Sequence, residues 1–306
     1  MAPNQLACTA IYIAGLFFLF FVFPWNAVYQ RRLKHGLPLL DQWPCVPGKL
    51  DLIDMFMTLV IYFSVQVFGV VVVAENPDPL DSTDHFLQLS PFNSAAGLST
   101  LLTLFLAVPF IYLRRGDLRV MRLRFDHFPD LARIGFFASL LLVPASMALN
   151  AVVSILVTPY SHPVIETLMA EASITTMIYT ILTVVVAAPL VEEFVFRGVI
   201  LAYLQRVFSG HWESTTAIYC RNTAQAQKNK ETPDLFQLHG ANMLTSFLFA
   251  ALHIGQGAAY IPLFFLSLGL GYVCNKTGSI VPCVIIHMVL NGISIIPLIV
   301  MILNQS

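Results

Sequence analysis

Eight apolar runs divide this 306-residue chain: 8–28, 53–74, 94–113, 134–157, 173–207, 241–257, 258–274 and 279–303. A run of about 18 residues is long enough to cross a bilayer as a helix. The composition agrees, with 57% hydrophobic residues, 11% charged residues and a mean hydropathy of +0.76. A soluble domain carries roughly 25% charged residues, and one of this length cannot hide so much apolar surface in a core. A soluble enzyme, a disordered chain and a secreted disulfide scaffold are therefore excluded. The runs are too continuous for alternating barrel strands, which leaves helices. The expected fold is an all-α polytopic membrane protein with about eight transmembrane helices.

The 16 cations sort themselves along these crossings. Residues 30–50 hold Arg31, Arg32, Lys34 and Lys49, and residues 114–133 hold Arg114, Arg115, Arg119, Arg122, Arg124 and Arg133. Residues 197–240 hold Arg197, Arg206, Arg221, Lys228 and Lys230, and Lys276 lies between the last two runs. The alternate connections, 75–93 and 158–172, carry carboxylates but no lysine or arginine. The positive-inside rule places the basic connections in the cytoplasm and both termini outside it. That corresponds to an inner or plasma membrane in a bacterium and the endoplasmic reticulum in a eukaryote. The first run is not a cleaved signal, because Arg31 and Arg32 follow it and no side-chain cation precedes it. The stretch 209–240 reads as a polar cytoplasmic loop. The arginine-rich segment 114–124 either lies along anionic headgroups or is simple topogenic charge. Five cysteines (Cys8, Cys45, Cys220, Cys274, Cys283) show no metal-type pairing and read as reduced packing residues.

Ionisable groups inside the bilayer cost roughly 2.5–3.5 kcal/mol each on the insertion scale and are functional candidates by default. Well inside the runs these are Glu192, Glu193, Arg197, His253 and His287. Glu193 and Arg197 stand i,i+4 and can pair along one helix face, whereas Glu192 is rotated away by about 100°. His287 and Asn291 share a face at the same spacing, and Phe249 precedes His253 by one turn. Counting about 1.5 Å per residue from the inner boundaries puts Glu192 about 21 Å deep, His253 about 18 Å and His287 about 12 Å. The three converge on an intramembrane polar cavity open to the cytoplasm. The run 173–207 would be about 52 Å long as one helix, too long for a core of about 30 Å. A kink or break is expected near Pro189.

A carboxylate and a histidine sharing a water can act as general base in hydrolysis. A second histidine with an asparagine can donate to a developing oxyanion. The same glutamate and histidines could instead hold a divalent metal such as zinc. There is no H-E-x-x-H zinc motif, no G-x-S-G of rhomboid type and no G-x-G-D of presenilin type.

Three short patterns carry a resemblance. Glu192-Glu193-Phe194-Val195-Phe196-Arg197 reads E-E-x-x-x-R, Phe249 to His253 reads F-x-x-x-H, and His287 to Asn291 reads H-x-x-x-N. In this order they resemble the motifs of the type II CAAX prenyl endopeptidase family, also called the CAAX protease and bacteriocin-processing (Abi) family. The resemblance implies an intramembrane endopeptidase, often labelled a metalloprotease, whose partners are the lipid bilayer and a membrane-associated protein or peptide, with no nucleic acid. It implies that Glu192 and His253 activate the water and that His287 and Asn291 form the oxyanion site. Glu193 and Arg197 match the remaining motif positions. In eukaryotic and archaeal members the substrate is the tripeptide after a prenylated cysteine; many bacterial relatives are tied to bacteriocin immunity. The chain accordingly divides into a four-helix membrane region, 1–172, and a CAAX-protease-like catalytic region, 173–306, interrupted by the loop 209–240.

Plainer roles exist for each residue. Glu193–Arg197 can simply brace two helices, Glu192 can be a second partner of that arginine, a membrane histidine can cap a backbone carbonyl, and Asn291 can be interhelical glue. A non-catalytic scaffold or immunity factor would keep the fold without turnover. A proton-coupled transporter would show an inverted repeat, and the sequence has none.

Overall fold

The computed structural model describes residues 22–43, 49–75, 97–156, 174–208, 235–255 and 257–303. Among the described residues there is no strand. Helix α1 covers 22–31, α2 Leu52–Glu75, α3 Leu102–Arg115 and α4 Phe128–Leu156. Short 3₁₀ turns, Leu98–Leu101 and Leu118–Met121, flank α3. Helix α5 runs without interruption through five pieces: Ile174–Ile181, Leu182–Ala187, Ala188–Glu193, Phe194–Ile200 and Leu201–Phe208. Helices α6 (Leu235–Ala251), α7 (Tyr260–Thr277) and α8 (Val281–Leu303) complete the described bundle.

Among the described residues, three segments are long and apolar enough to cross a membrane by length and composition: Leu52–Gly69, Leu98–Arg115 and Phe128–Val153. Helix α8 contributes a shorter apolar stretch, Val281–Ile296. The first apolar run, 8–28, and the carboxylate-rich connections 75–93 and 158–172 lie mostly outside the described residues, as do Cys8, Cys45 and Cys220. Large apolar side chains point outward from the spanning helices, among them Phe63 and Phe68 of α2, Phe105 and Leu113 of α3, and Phe136 and Phe137 of α4. Leu113 is 84% exposed. An outer surface of this kind suits hydrocarbon rather than water. The protein is an integral membrane protein.

The middle of helix α5 occupies the interior. Every residue of Phe194–Ile200 is buried, so this stretch is enclosed on all sides. Its neighbours approach closely because the sequence supplies glycine at the crossings. A Cβ on Gly198 would sit 2.8 Å from the backbone carbonyl oxygen of Met121, and one on Gly271 would lie 1.7 Å from Asn242 Oδ1. Gly269, against Leu142, and Gly271 are therefore close-packing positions. Gly255 faces open space, and Gly257 serves a turn with φ +64°. Gly198→Ala must displace the Leu118–Met121 turn, because the obstructing atom is backbone. The expected cost is about 1–3 kcal/mol, read as a lowered unfolding temperature in detergent; an unchanged temperature would disprove the tight crossing.

The basic connections meet at one end of the helices. Asp51 and Asp54, at the start of α2, pair with Arg114 and Arg115 at the end of α3 over 2.5–3.0 Å. Burial alone would raise the Asp51 carboxyl. The Asp54 backbone N–H and the Arg115 guanidinium outweigh it and hold the group at about 2. Arg206 donates to the Leu50 carbonyl, Trp43 N–H to that of Lys276, and Ile280 N–H to that of Arg122. Arg122 itself reaches Asn275, Gln205 and the Cys274 sulfur. Cys274 and Cys283 are free and buried, as packing residues should be.

Two boundaries differ from the sequence expectation. The polar loop expected over 209–240 yields to helix at Leu235, because Leu235, Phe236 and Leu238 extend the apolar pattern of α6 backward. Helix α6 also ends at Ala251 rather than running on to residue 257, where Gly255 and Gly257 favour a turn.

Candidate active site

Helix α5 was expected to kink or break near Pro189, and it does not break there. The backbone stays right-handed helical through Ala187 and Ala188. Two π-helical segments, Leu182–Ala187 and Phe194–Ile200, bracket the α-helical Ala188–Glu193 instead. Wider π turns absorb residues without breaking the helix and re-aim the side chains on either side. Proline at the start of the central piece is tolerated because the preceding turns are already π-helical.

The re-aimed stretch carries three ionisable groups. Glu193 is fully buried and its Oε1 accepts from Arg197 Nη1 at 3.0 Å, the i,i+4 pair the spacing implies. Arg197 is also fully buried; its Nη2 donates to Ser267 Oγ of α7 at 2.7 Å, and its guanidinium lies 4.6 Å over the Phe249 ring. His287 of α8 places Nδ1 2.8 Å from the same Glu193 Oε1. An ionised carboxylate only accepts, so Nδ1 carries the proton in this contact. The other imidazole nitrogen, Nε2, stands 3.9 Å from Glu192 Oε2. Glu192 takes no part in the arginine pair among the described residues, as its rotation about the helix requires.

His253 sits in the turn Leu252–Gly255 after α6, not within a helix, because α6 stops two residues earlier. Its Nδ1 donates to the Phe249 carbonyl at 2.8 Å, which caps the helix end and leaves the Nε2 lone pair unused by that bond. The Phe249 ring ties the cluster together: its centroid lies 4.9 Å from His253, 5.9 Å from His287 and 5.1 Å from Phe196. Asn291, one turn beyond His287, donates Nδ2 to the Val184 carbonyl of α5 at 2.8 Å.

Glu192, Glu193, Arg197 and His287 therefore form one contiguous polar cluster. His253 joins it through Phe249, and Asn291 fastens α8 to α5 beside it. Glu192 Oε2 and Glu193 Oε2 are buried without a hydrogen-bond partner among the described residues. Sequence reasoning missed Ser267, which anchors the arginine; a serine in an apolar helix carries no signal of that role. It also missed Tyr62 of α2, which is buried within electrostatic reach of Glu192. A cavity of about 980 Å³ between α1, α4 and α7 is lined by residues such as Phe23, Leu40, Phe137 and Leu141, and none of the six candidate residues borders it.

Among the described residues no group of three or more His, Cys, Asp or Glu side chains converges tightly enough to hold a metal ion. With His287 Nδ1 bonded to Glu193 and His253 Nδ1 to a backbone carbonyl, each histidine keeps Nε2 for a water, a substrate or a metal.

No curated protein and no solved structure matches the chain. Residues 174–293, the stretch from α5 to α8 that supplies all six side chains of the cluster, match the model of the Rce1-like family, the type II CAAX prenyl endopeptidases.

Proposed function

We propose that this protein is an intramembrane endopeptidase that hydrolyses a peptide bond of a membrane-associated substrate of the prenylated CAAX type. The observation that carries the reading is the convergence of Glu192, Glu193, Arg197 and His287 from two helices within the segment that matches an endopeptidase family. Glu192 Oε2 and His287 Nε2 stand 3.9 Å apart, too far for a direct hydrogen bond and suited to a bridging water. Glu192, with His253 Nε2 as its partner base, takes the proton of a water whose oxygen adds to the scissile carbonyl. Glu193 holds His287 by Nδ1, so that a protonated His287 can present Nε2–H to the developing oxyanion. Asn291 uses one amide N–H on Val184 and has a second for the same oxyanion. Collapse of the tetrahedral intermediate passes the proton to the leaving amine. The end of the bundle where the arginines meet faces the cytoplasm, with both termini on the other side.

The test is cleavage of farnesylated carboxy-terminal peptides by the detergent-purified protein, followed by mass spectrometry, with and without chelator. His253→Ala is expected to abolish a defined cleavage that survives the chelator. Cleavage equal in wild type and His253→Ala would sink the reading.

A further inference from the structure

The π-helical segment Leu182–Ala187 is laddered by bonds between each N–H and the carbonyl five residues earlier. Its last rung is in place: Ala188 N–H donates to the Thr183 carbonyl. The next rung would join the N–H of residue 189 to the Val184 carbonyl. Residue 189 is proline and has no N–H to give. The Val184 carbonyl would be left without its ladder partner in an apolar bundle, where an unmade hydrogen bond is costly.

The missing donor arrives from another helix. Asn291 Nδ2 stands 2.8 Å from the Val184 carbonyl oxygen. The two helices are close enough to hold it there, since a Cβ on the adjacent Gly292 would lie 3.8 Å from Val185 Cγ1. An amide group is planar, so fixing one N–H on Val184 also fixes the line of the second. Asn291 lies one turn from His287, and Pro189 lies three residues before Glu192.

We infer that Pro189 is a positioning residue: by withholding the N–H that would close the Val184 carbonyl, it reserves that carbonyl for Asn291 and so aims the asparagine's second N–H at the oxyanion. This rests on the hydrolytic reading for the role of Asn291, but the pairing of Pro189 with Asn291 does not. A proline at this point of a helix otherwise has only a cost, because alanine would add a hydrogen bond and a better helix former. The arrangement lets α5 and α8 be registered by a bond that neither helix can satisfy alone.

Two cycles on the full-length protein test this, using Pro189→Ala, Asn291→Ala and the double variant. The first reads thermal unfolding and needs no substrate. Asn291→Ala should lower the unfolding temperature in the native background, where it orphans the Val184 carbonyl. It should lower it far less in the Pro189→Ala background, where residue 189 supplies the N–H. Equal losses in both backgrounds would overturn the pairing. The second cycle reads cleavage of a farnesylated peptide. Pro189→Ala should reduce kcat about tenfold, a partial loss of one oxyanion donor, with KM unchanged and no loss of thermal stability. In the Asn291→Ala background it should have no further effect on kcat. A retained kcat in Pro189→Ala, or a loss that adds to that of Asn291→Ala, would overturn the positioning role. If the wild type cleaves nothing, the hydrolytic reading and the positioning role fall together, while the unfolding cycle still decides the pairing.

Discussion

Arg197→Leu is expected to destabilise the protein by about 3–5 kcal/mol, the usual result of stripping one partner from a buried ion pair. Arg197 and Glu193 are 1% and 0% exposed, so no solvent can take over the lost partner. Removing the guanidinium takes three contacts at once: the Glu193 pair, the Ser267 bond to α7 and the face of Phe249. His287 would be the one remaining hydrogen-bond partner of Glu193 among the described residues. Arg197→Lys should recover little, because an ammonium cannot replace a planar fork that reaches Glu193 with one nitrogen and Ser267 with another. The double variant Glu193→Leu/Arg197→Leu should regain much of the loss, since no unbalanced charge is left behind. Thermal unfolding in detergent checks all three. An Arg197→Leu protein as stable as wild type would mean that the pair does not brace α5 against α7.

The same cluster shows what a single sequence can reveal. Spacing along one helix was legible, because i,i+4 geometry is local: the Glu193–Arg197 pair and the separation of Glu192 from it both follow from rotation about α5. Which residues meet across helices was not. The bond from His287 to Glu193 joins positions 94 residues apart, and the one from Asn291 to Val184 spans 107. No periodicity encodes either. Hydropathy is equally blind to the difference between lipid-facing and core-facing positions, since both are apolar. Phe194 and Phe196 are buried whereas Phe136 and Phe137 are exposed, yet all four read alike in the sequence. The expected break at Pro189 failed for a related reason. Pattern reasoning assigns a proline's missing N–H to a broken helix, and it cannot foresee a side chain from α8 that meets the open carbonyl.

Glu192→Gln is expected to lower kcat by about 10²–10⁴-fold, the range for removing a general base, while leaving the fold nearly unchanged. The contrast with its neighbour makes the case. Glu193 is fully buried and its Oε1 is engaged by both Arg197 and His287, so its charge is held in a structural ion pair. Glu192 is 21% exposed on its side chain and stands outside that pair, so its Oε2, unpaired like that of Glu193 among the described residues, belongs to the carboxylate that no arginine holds. A buried oxygen left unpaired in this way is costly, and a reacting water offers it a partner. Glutamine matches glutamate in size and hydrogen-bonding reach but is not a base at neutral pH, so the change removes proton transfer and little else. Stability should stay within about 1 kcal/mol of wild type, since no formed hydrogen bond is lost. Glu193→Gln should do the reverse in part, unbalancing the buried Arg197 and lowering the unfolding temperature together with activity. Rates on a farnesylated peptide, paired with unfolding temperatures of both variants, separate the two glutamates. If Glu192→Gln cleaved at the wild-type rate, water activation would belong to another group, and His253 alone would be the remaining base.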